Sequence, residues 1–183
     1  MKHVLKGIVI AGFILYPFLV GFCLSIGRFE WVSVLLIVLG GLKLFSKGQH
    51  HLLFPLTALA ILCGALSLIL KDQAWLKLYP VLMSMGAFII FASTLIKPPS
   101  MIERFARITE PDLPKEGIVW TKKVTVLWCG FFIINALIST CTMLMASTEI
   151  WVLYNGFISY VLMGILLLGE YILRKIHQRK HQI

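Results

Sequence analysis

The chain is a succession of long apolar runs separated by short polar connections. A helix that crosses the membrane needs about 20 apolar residues, and six stretches approach this length: residues 4–27, 31–44, 52–70, 75–96, 124–146 and 150–173. The second is the weakest, because about 14 residues rise only about 21 Å against a hydrocarbon core of about 30 Å. The pattern predicts an all-α membrane bundle of six transmembrane helices, with five as the alternative if residues 31–44 are re-entrant.

One polar segment, residues 97–123, separates the predicted fourth and fifth spans. It holds four of the eight acidic residues and six of the seventeen Lys and Arg residues. Pro98 and Pro99 should end the fourth span, because proline cannot continue a helix. Ser100 and Glu103 have the spacing of a capping box. A short helix is therefore predicted directly after the two prolines.

This short helix is predicted to be amphipathic and to lie at the membrane–water interface. Its apolar face comprises Met101, Ile102, Phe105 and Ile108, whereas Glu103, Arg104 and Arg107 point elsewhere. Pro111 and Pro114 should end it in an extended turn. The segment could be an elbow that directs the chain into the fifth span, a docking surface or a catalytic loop. The candidate docking or lipid-contact residues are Arg104, Phe105, Arg107, Glu110 and Asp112.

The distribution of basic residues predicts the orientation through the positive-inside rule. With a cytoplasmic N-terminus, 14 of the 17 Lys and Arg residues fall in inside segments, and only Arg28, Lys71 and Lys77 fall outside. A five-span chain would place some basic segments on the wrong side. We therefore expect one integral membrane domain, residues 1–183, with both termini cytoplasmic.

Composition supports a membrane domain and argues against a nucleic-acid partner. Hydrophobic residues make up 59% of the chain and charged residues 14%, whereas soluble domains are nearer half apolar and a quarter charged. The net charge of +9 lies beside the apolar spans, where basic side chains contact anionic lipid headgroups. We therefore expect the bilayer, with its anionic headgroups, to be a partner and expect no nucleic acid.

Polar side chains within the spans are candidate functional residues, because they are costly to bury in lipid. The candidates are Asn135, Asn155, Tyr160 and Glu170. Asn135 could instead hydrogen-bond a neighbouring helix. Glu170 could form an ion pair with Arg174, four residues later.

No motif indicates a catalytic, cofactor-binding or metal site. The four cysteines lie inside apolar spans without a CxxC spacing or a nearby pair of histidines. His50 and His51 are adjacent and lack a third ligand nearby. We therefore assign no catalytic residue, no cofactor and no metal ligand from the sequence.

Roughly residues 91–171 carry a set of proline, aromatic and amide positions: Pro99, Ile102, Arg104, Leu113-Pro114, Trp120, Trp128, Phe131-Phe132, Asn135 and Trp151-Val152. This set resembles the second half of the intracellular septation protein A family of small bacterial inner-membrane proteins. The stretches IERFARITEPDLP and LYNGxxxYxLMGxLxxxEY resemble more closely a related group, some of which are encoded with aryl-polyene or fatty-acid-like biosynthesis genes. The first half of the chain is similar only in hydropathy. The resemblance implies an accessory role in the cell envelope and no established catalytic residue.

Three functions are compatible with these observations. We favour a non-enzymatic inner-membrane accessory or scaffold protein of envelope biogenesis, whose cytoplasmic loop docks an envelope-biosynthesis partner or anionic lipid. The alternative is a small transporter or flippase for a lipid-linked or apolar substrate, working through Asn135, Tyr160 and Glu170. The third is a membrane enzyme acting on an acyl or isoprenoid chain, with an acidic residue of the loop as acid or base. The sequence does not determine the oligomeric state.

Overall fold

The computed structural model describes residues 22–23, 26–45 and 54–180. Every regular element within these ranges is helical, as the apolar pattern predicts. In chain order the elements are α1 (Phe29–Phe45), α2 (Phe54–Leu70), α3 (Ala74–Ile96), α4 (Met101–Thr109), α5 (Lys115–Met145), α6 (Thr148–Leu153), a π-helical turn (Tyr154–Ile158) and α7 (Ser159–Lys180).

Three helical segments are long and apolar enough to cross a membrane: Ala74–Ile96, Lys115–Met145 and Thr148–Lys175. The helices α1 and α2 have 17 residues each. At about 1.5 Å per residue they measure about 26 Å, slightly less than the hydrocarbon core. Most of the predicted first span, and the pair His50-His51, lie outside the described residues. An all-helical architecture with long apolar helices is confirmed for the described residues, and the count of six spans stays a prediction.

The first turns of α1, α3 and α6 meet at one end of the bundle. Val32, Leu76 and Trp151 belong to one buried apolar cluster. Beside it, Lys77 Nζ donates a 2.9 Å hydrogen bond to Thr148 Oγ1. The short connections before α1, between α2 and α3, and between α5 and α6 therefore share one end of the bundle.

The opposite end is built around the start of α5. This helix begins at Lys115 and not at residue 124, so the second part of the predicted loop is helical. Glu116 lies in its first turn, where a carboxylate is stabilised by the helix dipole. Because 31 residues measure about 46 Å, α5 is longer than the hydrocarbon core and part of it must extend beyond.

Small residues allow α1 and α2 to approach closely. Ser33 on α1 is completely buried, and Gly64 on α2 lies against it. A Cβ added at Gly64 would lie 2.9 Å from the backbone oxygen of Ser33 and 3.1 Å from Ile37 Cγ1. Small residues at helix contacts are typical of membrane bundles, where close packing replaces the hydrophobic effect as the driving force.

Among the three long apolar helical segments, the one that contains α7 has the smallest fraction of buried residues. In the most apolar stretch of Lys115–Met145, 44% of residues are buried, whereas in that of Thr148–Lys175 only 6% are buried. The exposed apolar side chains of α7 include Leu162, Ile165 and Leu168. A helix that is apolar on its exposed faces is suited to contact with lipid.

Candidate functional site

The predicted interfacial helix α4 packs on the third and fourth turns of α5. Met101 is only 2% exposed and lies in a buried cluster with Val124 and Trp128 of α5. The backbone N–H of Ile102 donates a 3.3 Å hydrogen bond to Thr125 Oγ1. The buried side chain of Met101 and the hydrogen bond from the Ile102 backbone to the Thr125 side chain therefore hold α4 against α5.

The predicted capping box is present at the start of α4. The backbone N–H of Ser100 donates to Glu103 Oε2 at 3.4 Å. The buried hydroxyl of Ser100 makes no hydrogen bond of good geometry among the described residues, so the Glu103 half of the box provides the stabilisation. Glu103 is only 6% exposed. Arg107 Nη2 lies 2.8 Å from Glu103 Oε1, which compensates the cost of burying the carboxylate.

The two candidate docking arginines, Arg104 and Arg107, also form hydrogen bonds within the segment itself. Arg104 Nε donates to the backbone oxygen of Pro99 at 2.8 Å. Arg107 Nη1 donates to the backbone oxygen of Pro111 at 2.8 Å. Hydrogen bonds from a charged group to a carbonyl are stronger than neutral ones. Arg104 and Arg107 therefore tie α4 to the proline-containing segments on both of its sides.

The remaining acidic candidates of the loop are Glu110 and Asp112. Glu110 Oε2 lies 3.6 Å from Arg174 Nη2 of α7, with the two side chains 43% and 30% exposed. The predicted ion pair between Glu170 and Arg174 is therefore wrong, because the fold places Arg174 beside the loop. Asp112 is exposed. No group of three or more His, Cys, Asp or Glu in the described part of the chain is arranged to hold a metal ion.

Two large apolar side chains of α4 are exposed to different extents. Phe105 is 41% exposed and Ile108 is 69% exposed. Lys97 before α4 and Lys115 at the start of α5 are also exposed. We refer to Lys97, Phe105, Ile108 and Lys115 as the α4 surface. It combines apolar side chains with cations at one end of a membrane bundle.

Asn135 connects three helical segments within the apolar part of the bundle. Its Nδ2 donates to Ser84 Oγ of α3 at 2.9 Å. Its Oδ1 accepts a 3.0 Å hydrogen bond from the hydroxyl of Tyr154. The alternative interpretation of Asn135, as a hydrogen-bonding residue between helices, is therefore confirmed.

Asn155 lies in the π-helical turn and joins it to α5. Its Oδ1 accepts a 2.6 Å hydrogen bond from Ser139 Oγ, and its Nδ2 donates to Thr142 Oγ1 at 3.2 Å and to the backbone oxygen of Trp151 at 3.0 Å. The sequence interpretation did not include Ser139 and Thr142. The sequence could have indicated them, because they follow Asn135 by four and seven residues and this spacing places side chains on one helix face.

A cavity of about 300 Å³ lies beside these residues, and Asn135, Asn155 and Tyr160 all line it. Glu170 does not line the cavity. It lies ten residues beyond Tyr160, or about 15 Å along α7. The cavity therefore brings Asn135 and Tyr160 together and leaves Glu170 outside, and a transport role for these residues stays a prediction.

Comparisons with known proteins agree with the helical membrane architecture. A curated relative is the inner membrane-spanning protein YciB of Hydrogenovibrio crunogenus, which is 29% identical over 119 residues, covering 64% of this chain and 54% of that protein. The chain thus spans about half the length of this relative. No solved structure matches the chain.

The comparison with family models extends the similarity seen in the sequence. The model described as "Intracellular septation protein A" matches residues 1–181, so the likeness includes the first half of the chain and is not confined to its second half. By this match over nearly its whole length, the chain belongs to the intracellular septation protein A family.

Proposed function

We propose that this chain is a non-enzymatic accessory protein of cell-envelope biogenesis in the bacterial inner membrane, whose α4 surface binds anionic lipid headgroups at the cytoplasmic face. One observation carries the proposal. Met101 anchors α4 on α5 with only 2% of its surface exposed, while Phe105 and Ile108 on the same helix stay exposed.

Interfacial helices bind membranes by inserting an apolar face and placing basic groups near the headgroups. On the α4 surface, Phe105 and Ile108 provide the apolar contact. Lys97 and Lys115 provide exposed positive charge. Each lysine near an anionic surface contributes about 1 kcal/mol, so the two together contribute about 2 kcal/mol.

The positive-inside rule supports a cytoplasmic location for this surface, because the segment holds six of the seventeen Lys and Arg residues. Anionic lipids are enriched in the cytoplasmic leaflet. The name of the curated relative, an inner membrane-spanning protein, supports the choice of membrane.

The pairing of the loop carboxylates favours an accessory role over an enzyme. Glu103 is bound by Arg107 and by the cap of α4, and Glu110 lies beside Arg174. General acid–base catalysis needs a carboxyl group within reach of a substrate proton. Glu103 and Glu110 instead stabilise the fold of the segment.

The test compares lipid retention by the full-length protein and a double variant. Lys97→Gln with Lys115→Gln should lower the affinity for phosphatidylglycerol by about 30-fold, which corresponds to about 2 kcal/mol. Native mass spectrometry of protein taken from mixed phosphatidylglycerol and phosphatidylcholine nanodiscs measures this. Lys71→Gln, at the exposed opposite end of the bundle, is the matched control. Unchanged phosphatidylglycerol retention in the double variant refutes headgroup binding.

A photoreactive residue at position 105 separates lipid contact from protein docking in cells. Lipid adducts are the expected product. Adducts with a single protein and none with lipid would replace headgroup binding by partner docking. Arg104 and Arg107 are poor choices for charge reversal, since both hold the segment in shape.

A further inference from the structure

The cavity beside Asn135 has a volume of about 300 Å³, which lies at the lower limit of ligand pockets. Its wall follows α3 from Leu76 to Ala87, a rise of about 16 Å along the helix. The other walls come from α1, α2, α5, α6, the π-helical turn and α7. The cavity is therefore long enough to hold part of an extended hydrocarbon chain.

The wall of the cavity carries no charge in the described part of the chain. Most lining residues are apolar, including Leu36, Met83, Phe131 and Met163, and no described Asp, Glu, Lys, Arg or His lines the cavity. A charged group would be left unpaired there, which is strongly unfavourable at membrane depth. The wall therefore selects an apolar and neutral occupant.

Two phenol hydroxyls at the cavity have no hydrogen-bond partner among the described residues. Tyr79 of α3 and Tyr160 of α7 both line the cavity, and neither side chain is hydrogen-bonded to any residue that the structure describes. The Tyr79 hydroxyl is not among the fully enclosed polar atoms, so it has surface open to the cavity. The two hydroxyls also lie close enough to interact electrostatically. They therefore offer two neighbouring donors to a bound molecule.

The other polar side chains of the wall are already hydrogen-bonded within the protein. Asn135 and Asn155 use both the oxygen and the nitrogen of their amides. Ser84 accepts from Asn135, and Ser159 donates to the backbone oxygen of Asn155. The two tyrosine hydroxyls are therefore the polar groups left to recognise a ligand.

Tyr160 indicates how an occupant reaches the cavity. Its side chain lines the cavity and is also 48% exposed. The side chains of Phe157 and Val161, which are near it in the chain, are apolar and exposed. Because such a surface is suited to contact with lipid, an apolar molecule can enter the cavity from the bilayer beside Tyr160.

The pair of hydroxyls favours a carbonyl group as the polar part of the occupant. A phenol is a stronger hydrogen-bond donor than an aliphatic alcohol, because its proton is more acidic. A carbonyl oxygen has two lone pairs and can accept from both tyrosines. A plain hydrocarbon would leave both hydroxyls without an acceptor, which is costly away from water.

We propose that the cavity binds a neutral carbonyl group carried on a hydrocarbon chain, with the carbonyl oxygen accepting from the hydroxyls of Tyr79 and Tyr160. The chain then lies along α3 toward Ala87. The carbonyl can belong to an acyl ester of a phospholipid whose headgroup stays at the membrane surface, or to a free neutral lipid. No residue of the α4 surface lines the cavity, so the proposal does not depend on the headgroup binding proposed for that surface.

The experiment uses the full chain in detergent micelles and a methyl laurate analogue with a diazirine on its chain. Photolabelling should be saturable and map to peptides that line the cavity. Methyl laurate should compete better than tridecane, which has a similar length and no carbonyl. Tyr79→Phe and Tyr160→Phe each remove one hydroxyl and keep the ring. Each should weaken competition by methyl laurate by about 2- to 10-fold, the effect of one hydrogen bond, and leave competition by tridecane unchanged.

Tyr171→Phe is the matched control. It makes the same change on α7 at a 52% exposed position that does not line the cavity, and it should leave competition by both probes unchanged. The double variant Tyr79→Phe with Tyr160→Phe should bind methyl laurate no better than tridecane. Circular dichroism checks the helical content of each variant. If one cavity variant does not fold, the other is compared with Tyr171→Phe and decides.

Several outcomes would overturn the proposal. These are non-saturable labelling, labelling that maps away from the cavity, and equal competition by methyl laurate and tridecane. An equal response of the two cavity variants and Tyr171→Phe also overturns it. An absence of labelling, because water or another part of the chain fills the space, has the same consequence.

Dilauroylphosphatidylcholine distinguishes the two sources of the carbonyl. If it competes as well as methyl laurate, the site takes the acyl ester of a phospholipid. If only methyl laurate competes, the site takes a free neutral lipid. The zwitterionic headgroup of this competitor keeps the result separate from the binding of anionic lipid at the α4 surface.

Discussion

The close contact between α1 and α2 predicts that a glycine-to-alanine substitution there lowers the free energy of unfolding, which is the opposite of its usual effect. Replacing a glycine by alanine in a helix interior normally stabilises the protein by about 0.8 to 1.0 kcal/mol. At Gly64 the new Cβ would lie 2.9 Å from the backbone oxygen of Ser33 and 3.1 Å from Ile37 Cγ1. A backbone oxygen cannot rotate away as a side chain can, so the whole of α1 would have to move.

The magnitude follows from two opposing contributions. Overpacking of this kind costs about 1 to 3 kcal/mol, and the helix propensity of alanine offsets about 1 kcal/mol of it. Gly64→Ala should therefore lower the free energy of unfolding by about 1 kcal/mol, within a range of about 0 to 2 kcal/mol.

Gly130 on α5 provides the matched control. It is exposed, and no atom lies within 4 Å of a Cβ added there. Gly130→Ala should therefore stabilise the protein by about 1 kcal/mol. The difference between the two variants cancels the propensity contribution and leaves the packing cost of about 1 to 3 kcal/mol.

Reversible unfolding in mixed detergent micelles, followed by far-ultraviolet circular dichroism, measures both free energies. The result that refutes the reasoning is a Gly64→Ala variant that is as stable as Gly130→Ala. In that case α1 and α2 do not approach as closely at Ser33 as the structure shows.

Three further perturbations address the polar network, the anchor of α4 and the loop ion pair. Asn155→Leu removes three hydrogen bonds and should cost about 2 kcal/mol in the same unfolding assay, at about 0.6 kcal/mol each. Met101→Ala should release α4 at a cost of about 2 to 3 kcal/mol, visible as faster amide exchange in α4, whereas Ile108→Ala, at a 69% exposed position, should change little. A double-mutant cycle for Glu110 and Arg174 should give a salt-sensitive coupling of about 0.2 to 1 kcal/mol, because both side chains are partly exposed.

Each of these predictions has a contradicting result. An Asn155→Leu variant of unchanged stability would mean that the amide is not bonded as described. Equal amide exchange in the Met101 and Ile108 variants would mean that α4 is not anchored by Met101. A coupling of zero at low salt would mean that Glu110 and Arg174 do not interact.

The apolar runs and the turn residues were sufficient to predict most of the described helices. The predicted span 75–96 agrees closely with α3, because Pro98 and Pro99 end that helix whatever it packs against. The capping box of α4 was also predictable, since its partners are three residues apart. Local signals fail at the start of α5. Residues 115–123 are too polar for a transmembrane span, yet they form the first turns of α5, ahead of the contacts that α4 makes at Val124, Thr125 and Trp128.

The candidate site was predicted less completely. Asn135 and Asn155 were found because an amide in an apolar run is conspicuous, whereas Ser84 was not, since serine is common in membrane helices. Which amide meets which hydroxyl depends on how α3, α5 and the π-helical turn are placed around one another. The partner of Arg174 shows the same limit. Glu170 has the correct spacing in sequence, but Glu110 is near in space.

Hydropathy, prolines and capping residues were enough to predict the helical membrane architecture and the position of α4, because these signals act within a few residues along the chain. The residue pattern from Pro99 to Val152 indicated the family. The fold was needed to show that Asn135 hydrogen-bonds Ser84 of α3 and Tyr154, and that Arg174 lies beside Glu110. These properties are contacts between residues far apart in sequence. Their energies depend on distances of a few ångströms that the order of the residues does not specify.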